Sequence, residues 1–150
     1  MRDVTGSEPD REGVLRLRPR YEETDQGGII HHSRYVVWFE TARTEWLRQR
    51  GLPYRILEER GISLLVSEVS VRYLRPAFYD DLLEIETIPV SCEGARIHLE
   101  YRVKNSKGDL LSTGATVLAS VDMKKRRPVR LPAELVDLAK ATINSQETDS

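Results

Sequence analysis

The sequence has little of three features that mark other classes of protein. It contains one cysteine, Cys92, which excludes an intrachain disulfide and does not suit an oxidising compartment. No apolar run approaches the roughly 20 residues that a membrane span needs. Its 23 basic and 24 acidic residues nearly balance, so no general positive field attracts it to nucleic acid. We therefore expect a cytoplasmic protein that neither inserts into a membrane nor binds nucleic acid.

The length of 150 residues predicts one domain. Residues 1–12 and 143–150 are polar, and we predict that both are disordered tails of a domain over residues 13–142. The segment Val14–Tyr21 alternates apolar and basic residues, which predicts a half-buried strand. Pro19 places this strand at an edge or an irregularity of the sheet.

A long helix is predicted from about His32 to Arg50, a stretch without glycine or proline. Four aromatic residues and one alanine recur there at helical spacing: Tyr35, Trp38, Phe39, Ala42 and Trp46. Val36 and Val37 widen this apolar surface, which predicts that the first turns are enclosed. Gly51 is a natural stop, and Pro53 opens a second short helix that ends near Gly61.

The chain beyond Gly61 reads as strands separated by short turns. Four runs are rich in β-branched residues: Ile62–Leu74, Leu82–Cys92, Arg96–Asn105 and Leu110–Asp122. Their spacing predicts an antiparallel meander, followed by a last helix from Pro132 to about Thr142. The element order predicts an α+β fold, with the long helix against one face of a five-stranded antiparallel sheet.

The stretch that points to chemistry runs from Tyr21 to Tyr35 and places Asp25 on a glycine turn before the long helix. Free N–H groups at a helix start can stabilise developing negative charge, such as the oxyanion formed from a thioester. A carboxylate beside it could attack the carbonyl or activate a water. Gly27 and Gly28 allow a ligand to approach the backbone. The alternative is that Asp25 only forms a turn, as aspartates before glycine often do.

Three segments resemble the 4-hydroxybenzoyl-CoA thioesterase family, most closely the branch of acyl-CoA thioesterases associated with the bacterial Tol-Pal system. YEETDQGGIIHHSRYVVWFETARTEWL resembles the family's Asp-x-x-Gly motif and its helix. VRYLRPAFYDDLLEIET and STGATVLASVDMKKRRPVRLPAEL resemble its later strands and its C-terminal helix. The resemblance implies a hot-dog fold, in which the sheet wraps around the helix, and hydrolysis of an acyl-CoA to a free acid and CoA.

The resemblance also implies roles for particular residues. Asp25 matches the catalytic aspartate, as nucleophile or general base, and His32 matches the position whose backbone N–H contacts the thioester oxygen. Tyr35 matches the tyrosine of the motif and is expected to pack rather than to catalyse. Gly27, Gly28 and Tyr35 are expected to lie near the substrate. No metal or prosthetic group is implied, and CoA enters only as part of the substrate.

Basic residues are the candidates for holding the CoA phosphates. The family's aromatic-acyl enzyme carries a basic cluster at the turn before the fourth strand, where this sequence has SCEGAR and only Arg96 is basic. Arg72, Arg75 or the run Lys124–Arg127 are the alternatives. By analogy with hot-dog proteins we expect a homo-oligomer, either a dimer or a tetrameric dimer of dimers, with a neighbouring subunit completing each site.

Two other functions stay open from the sequence: a hydratase or dehydratase of acyl thioesters, and a non-catalytic acyl-CoA-binding module. His31 and His32 could suggest a metal site, but adjacent side chains usually point apart and no cysteine or carboxylate completes a ligand set. His98 lies within a predicted strand and is expected to be structural. Cys92 has no evident base partner, so we expect it to pack rather than react.

Overall fold

A computed structural model describes residues 13–25 and 27–148. The predicted tail at residues 1–12 lies outside the described residues. The elements in chain order are β1 (Val14–Leu17), a 3-10 helix (Tyr21–Glu23), α1 (Arg34–Gln49), α2 (Tyr54–Glu59), β2 (Ile62–Tyr73), β3 (Leu83–Glu93), β4 (Arg96–Lys104), β5 (Leu110–Asp122), β6 (Arg127–Pro128) and α3 (Ala133–Thr148).

The strands form one sheet in the order β1-β3-β4-β5-β2, with the short β6 paired to β5. β1 is antiparallel to β3, and Val14 lies opposite Glu86. The predicted meander is right for β3, β4 and β5 but wrong for β2, which pairs with β5. Loop length gives the reason. Only Gly94 and Ala95 separate β3 from β4, which forces these strands to pair, whereas residues 74–82 separate β2 from β3 and impose no such pairing.

The described residues fall into two compact units. The first unit comprises residues 13–25, 27–46, 71–87 and 101–114, and the second comprises residues 47–70, 88–100 and 115–148. Strands β2 to β5 each contribute residues to both units. The single domain over residues 13–142 stays a prediction.

The first unit has a core built on α1. The predicted helical stripe is confirmed, since all of its members are buried: Tyr35, Trp38, Phe39, Ala42 and Trp46. Phe39 stacks on Tyr101 with ring centroids 4.4 Å apart and planes 9° apart. Gly114 lies against the same ring, and a Cβ atom there would clash with Cε2 and Cζ of Phe39.

One expectation for α1 is wrong within the single chain. Val36 and Val37 were predicted to extend the enclosed surface at the start of the helix, but they are 39% and 49% exposed. They occupy the side of the helix opposite the buried stripe, because they fall between Tyr35 and Trp38 in the helical repeat. The first turn of α1 therefore presents apolar side chains to the surface.

The second unit has its own buried residues, which come from α2, β4, β5 and α3: Leu57, Ile97, Leu99, Leu118, Leu135 and Ala139. The Tyr54 hydroxyl accepts the Leu64 N–H at 2.8 Å and so ties α2 to the start of β2. Arg60 pairs with Glu134 of α3. In the described part of the chain, no helix has both the length and the apolar character required to cross a membrane.

Two predicted element ends differ from the structure. The first strand was expected over Val14–Tyr21 but ends at Leu17, because Pro19 cannot donate to a ladder and Tyr21 begins the 3-10 helix. The last helix was expected to end near Thr142 but continues to Thr148. Residues 143–148 contain no glycine or proline, so their polarity alone was a poor reason to end the helix there and to begin a disordered tail.

Candidate active site

The turn that carries Asp25 is held by the aspartate itself. Asp25 Oδ1 accepts the Gly27 N–H at 2.8 Å and the Ile29 N–H at 3.2 Å. The Asp25 N–H donates to the Ile29 carbonyl at 2.8 Å, and Gly28 has a φ of 79°, which favours glycine. Within residues 13–25 and 27–148, Oδ2 of the exposed Asp25 makes no hydrogen bond. One carboxylate oxygen therefore forms the turn while the other is left accessible.

The turn that leads into α1 is held by His31. The Ser33 N–H donates to His31 Nδ1 at 3.2 Å, the Ser33 hydroxyl lies 2.8 Å from the same atom, and the Arg34 N–H donates to the His31 carbonyl at 3.0 Å. By contrast, the His32 N–H donates to no acceptor in the part of the chain that the structure describes. A backbone donor without a partner therefore lies at the opening of the long helix.

The imidazoles of His31 and His32 do not point apart as expected, because their ring centroids are 4.2 Å apart with a 32° tilt. Both residues are exposed. The Ser33 N–H bond uses His31 Nδ1 as its acceptor. Nowhere in residues 13–25 and 27–148 do three or more metal-ligating side chains gather.

Two tyrosines, Tyr35 of α1 and Tyr73 of β2, contact each other next to the start of this helix. Tyr35 is 2% exposed and contacts Tyr73 edge to face, with ring centroids 5.1 Å apart. The Tyr73 hydroxyl donates to the His32 carbonyl at 2.7 Å. Burial raises the pKa of Tyr35, although a hydrogen bond with the Ala77 backbone opposes the rise, and burial also raises the pKa of Tyr73. Both hydroxyls stay protonated at neutral pH.

A buried carboxylate that no sequence pattern singled out joins the turn to the helix. Glu23 is 5% exposed. Its Oε2 accepts the Trp38 indole N–H at 2.8 Å, and its Oε1 accepts the Arg20 N–H at 2.8 Å. The Glu23 carbonyl accepts the His31 N–H at 2.9 Å. Glu23 therefore bonds to Arg20 before the Asp25 turn and to His31 and Trp38 after it. Local sequence patterns do not predict the contact with Trp38, because the two residues are 15 positions apart.

The first unit brings together most of the predicted site residues: Asp25, Gly27, Gly28, His32, Tyr35, Arg72 and Arg75. Arg72 and Arg75 are exposed, and an Arg75 guanidinium nitrogen lies 3.6 Å from a carboxylate oxygen of Asp109. Arg96 and the run Lys124–Arg127 belong to the second unit instead. The structure thus groups only two of the basic candidates with Asp25.

Cys92 and His98 belong to the second unit, whereas Asp25 belongs to the first. Burial raises the pKa of the Cys92 thiol, and the positive charge of Lys140 opposes the rise without overcoming it. A raised pKa disfavours the thiolate, which is the reactive form of cysteine.

Comparison with known proteins identifies the family. A family model described as the thioesterase-like superfamily matches residues 19–138. The acyl-CoA thioesterase YbgC of Haemophilus influenzae is 39% identical over 121 residues, which cover 79% of this chain and 88% of that protein. The acyl-CoA thioester hydrolase YbgC of Escherichia coli O157:H7 is 35% identical over 120 residues, which cover 80% and 90%.

Solved structures similar to this chain support the same family. The hypothetical protein TT1821 from Thermus thermophilus superposes with a TM-score of 0.81 at 33% identity and covers 87% of this chain and 99% of its own. The DHNA-CoA thioesterase from Staphylococcus aureus gives a TM-score of 0.81 at 30% identity, with 91% and 92% covered. The predicted α+β hot-dog fold is confirmed, and the chain belongs to the thioesterase-like superfamily as an enzyme of the thioester hydrolase class.

Proposed function

We propose that this enzyme hydrolyses acyl-CoA thioesters to a free carboxylic acid and CoA, with Asp25 as its catalytic carboxylate and the His32 N–H as oxyanion donor. One observation carries the proposal. The Asp25 turn is bonded to Ile29, three residues before His32, so an accessible carboxylate oxygen and an N–H that donates to none of the described residues belong to the same short segment. The relatives named as acyl-CoA thioesterases support the choice of substrate.

The chemistry follows from the charges that develop during hydrolysis. Attack on the thioester carbon places negative charge on its oxygen, and the His32 N–H, at the positive end of α1, stabilises that charge. Asp25 either attacks the carbon to give an acyl anhydride, or takes a proton from a water that attacks instead. In both routes the carbon–sulfur bond breaks and CoA leaves as the thiol after protonation. In the first route, water then hydrolyses the anhydride to release the acid and regenerate Asp25. After single-turnover hydrolysis in ¹⁸O-water, label in Asp25 identifies the anhydride route, because activated water never bonds to the Asp25 carboxyl carbon.

Substitution of Asp25 by asparagine tests the proposal. The amide oxygen of the new side chain can still accept the N–H groups of Gly27 and Ile29, so the turn is retained while the carboxylate is lost. Loss of a general base or nucleophile should lower kcat by about 10²–10⁴-fold. Initial rates with the best substrate from a panel of acyl-CoAs measure the effect.

Asp81→Asn is the matched control, because Asp81 Oδ2 also accepts a backbone N–H, that of Phe78 at 3.0 Å. This variant should keep the wild-type kcat. Wild-type hydrolysis by Asp25→Asn would contradict the assignment. Tight binding of acyl-CoA without turnover by the unmodified protein would favour the binding module, and hydration of crotonyl-CoA without hydrolysis would favour the hydratase.

Arg72 and Arg75 are the basic residues that we assign to the CoA phosphates. Both are exposed and share the unit of Asp25. Arginine suits phosphate because its planar guanidinium makes paired, charge-assisted hydrogen bonds. Arg75 would exchange its contact with Asp109 for a phosphate, since an exposed ion pair is weak. Arg96 remains a candidate for the same role.

The functional form that we propose is a homo-oligomer, a dimer or a dimer of dimers, formed through β2. This strand ends the sheet order, and every residue from Leu65 to Ser70 is exposed. Because side chains alternate between the two faces of a strand, exposure of consecutive residues means that neither face is covered. An apolar edge strand of this kind is a template for pairing with another chain. Val36 and Val37 supply further exposed apolar surface in the first unit.

A further inference from the structure

The contacts of Tyr73 link the end of β2 to the start of α1. Its hydroxyl donates to the His32 carbonyl at 2.7 Å, across 41 residues of sequence. Its ring stands perpendicular to that of Tyr35, with centroids 5.1 Å apart, and to that of His32, with centroids 6.4 Å apart. All three residues belong to the first unit.

The backbone on both sides of Tyr73 is held by β5. The Ser112 hydroxyl donates to the Arg72 carbonyl at 2.8 Å, and the Leu74 N–H donates to the Leu111 carbonyl at 2.9 Å. Tyr73 therefore projects from a strand end that is fixed on either side. A side chain on such a support can position the group that it contacts.

Residue 32 lies between two peptide planes, and each plane has its own contact. The His32 N–H shares a plane with the His31 carbonyl, which accepts the Arg34 N–H at 3.0 Å. The His32 N–H donates to no acceptor among the described residues, and its carbonyl accepts the Tyr73 hydroxyl. The Arg34 bond holds the plane of the His32 N–H, and the Tyr73 bond holds the following plane, so together they restrict the backbone on both sides of the His32 Cα. An oxyanion donor contributes fully only when it is already aimed.

We propose that Tyr73 is a positioning residue for thioester hydrolysis, and that its hydroxyl orients residue 32 so that the N–H of His32 is aimed at the oxyanion. The inference rests on the proposed function of His32. Tyr73 acts through the backbone of another residue and is not itself assigned a contact with the reacting atoms. The competing interpretation is that Tyr73 only packs at a strand end, which its ring contacts alone would satisfy.

Tyr73→Phe removes the hydroxyl and keeps the ring. One lost hydrogen bond of ordinary strength should lower kcat about fivefold. KM should stay near its wild-type value, because the contact orients the N–H for the transition state and not for substrate binding. Steady-state rates with the best acyl-CoA substrate measure both constants.

Tyr54→Phe is the matched control for a purely structural loss. Its hydroxyl also bonds to the backbone, here by accepting the Leu64 N–H at 2.8 Å, and lies 3.0 Å from the Ser63 hydroxyl in the second unit. We expect Tyr54→Phe to lower the melting temperature and to leave kcat unchanged. Equal kcat in the Tyr73→Phe variant and the wild type would overturn the proposal, as would a change in KM alone.

A double-variant cycle then tests whether Tyr73 acts through residue 32. His32→Pro removes the N–H, so Tyr73→Phe on that background should cause no further loss of kcat. Full additivity would mean that Tyr73 acts by another route, and it would overturn the proposal. Wild-type kcat in His32→Pro would instead overturn the proposed oxyanion role of His32, and the role of Tyr73 with it. If His32→Pro does not fold, the comparison of Tyr73→Phe with Tyr54→Phe decides.

Discussion

The two oxygens of Asp25 have different surroundings. From the sequence, a turn-forming aspartate and a catalytic aspartate were alternatives. The structure makes them compatible, because Oδ1 accepts two backbone N–H groups and Oδ2 accepts none from the described residues. The bonds to Oδ1 restrict the side-chain rotamer, and a restricted rotamer is an advantage for a group that must meet a carbonyl carbon at a set angle. The turn geometry therefore supports the catalytic assignment.

At the same scale, a pair of substitutions separates the backbone of His32 from its imidazole. His32→Ala keeps the N–H and should change kcat little. His32→Pro removes the N–H and should lower kcat by about 10²–10³-fold, the usual cost of one lost oxyanion donor. Proline is tolerated here because this N–H has no partner among the described residues and precedes the first helical residue, Arg34.

Circular dichroism and melting temperatures show whether both His32 variants keep the fold, and initial rates give kcat. The comparison is between two changes that remove the same imidazole. A severe loss in His32→Ala, equal to that in His32→Pro, would assign the effect to the ring and contradict the backbone role.

Among single residues, the sequence predicted those whose role is local and missed those whose role is distant. Asp25, Gly27, Gly28 and His32 lie within eight consecutive positions, so the resemblance of one contiguous motif was enough to select them. Glu23 and Tyr73 act on the same segment through partners that lie 15 and 41 residues away. Hydrophobic periodicity does not predict such contacts, because they depend on tertiary packing between segments that are distant in the sequence.

At the scale of elements, helical and strand periods predicted nearly every boundary to within a residue or two. β5 was predicted and observed over Leu110–Asp122, and α1 begins two residues later than expected. The position of β2 next to β5 was not predictable in this way, because it is a non-local pairing that follows a long connection. The end of α3 was also missed, because polar residues continue a helix as readily as they form a tail.

The close contact between α1 and β5 gives a prediction for Gly114. Its φ lies outside the left-handed region, so the backbone would accept alanine, but the added Cβ would clash with Phe39. Phe39 is fully buried and stacked on Tyr101, so it has little room to move. Gly114→Ala should lower the free energy of unfolding by about 1–3 kcal/mol, as overpacking usually does.

Urea denaturation of Gly114→Ala, Phe39→Leu and the double variant measures this effect. Leucine at position 39 leaves space beside residue 114, so the double variant should be more stable than the sum of the two losses predicts. If the losses simply add, the clash with the Phe39 ring is not the cause of the destabilisation.

At the scale of the whole molecule, the sequence alone predicted the hot-dog class and the thioester hydrolase class, because the family resemblance covers most of the chain. It could not rank the basic residues. Arg96 was the candidate at the turn that matches the family's basic cluster, with Arg72, Arg75 or the run Lys124–Arg127 as alternatives. Of these, only Arg72 and Arg75 belong to the unit of Asp25. The charge of an arginine does not indicate which unit of the fold the residue belongs to. The choice among these arginines therefore needed the structure.

The assembly gives the last prediction. Val69 is 45% exposed on the edge strand β2, and Val90 is 38% exposed on a different strand, β3. Lysine on an edge strand prevents pairing with another chain, because a charge would have to be buried in the new contact. Val69→Lys should therefore shift the protein to the 17.2 kDa monomer, whereas Val90→Lys should leave the oligomer intact. Sedimentation velocity measures the masses.

Activity completes this test, because Asp25 is exposed in the single chain and the proposed oligomer would enclose it. Enclosure strengthens the charge–dipole interaction on which the oxyanion site depends. A monomeric Val69→Lys protein should therefore lose kcat, and Val90→Lys should retain it. If Val69→Lys remains an oligomer, β2 is not the contact. If it becomes a monomer with full kcat, the site of Asp25 is complete within one chain and the neighbouring subunit has no part in it.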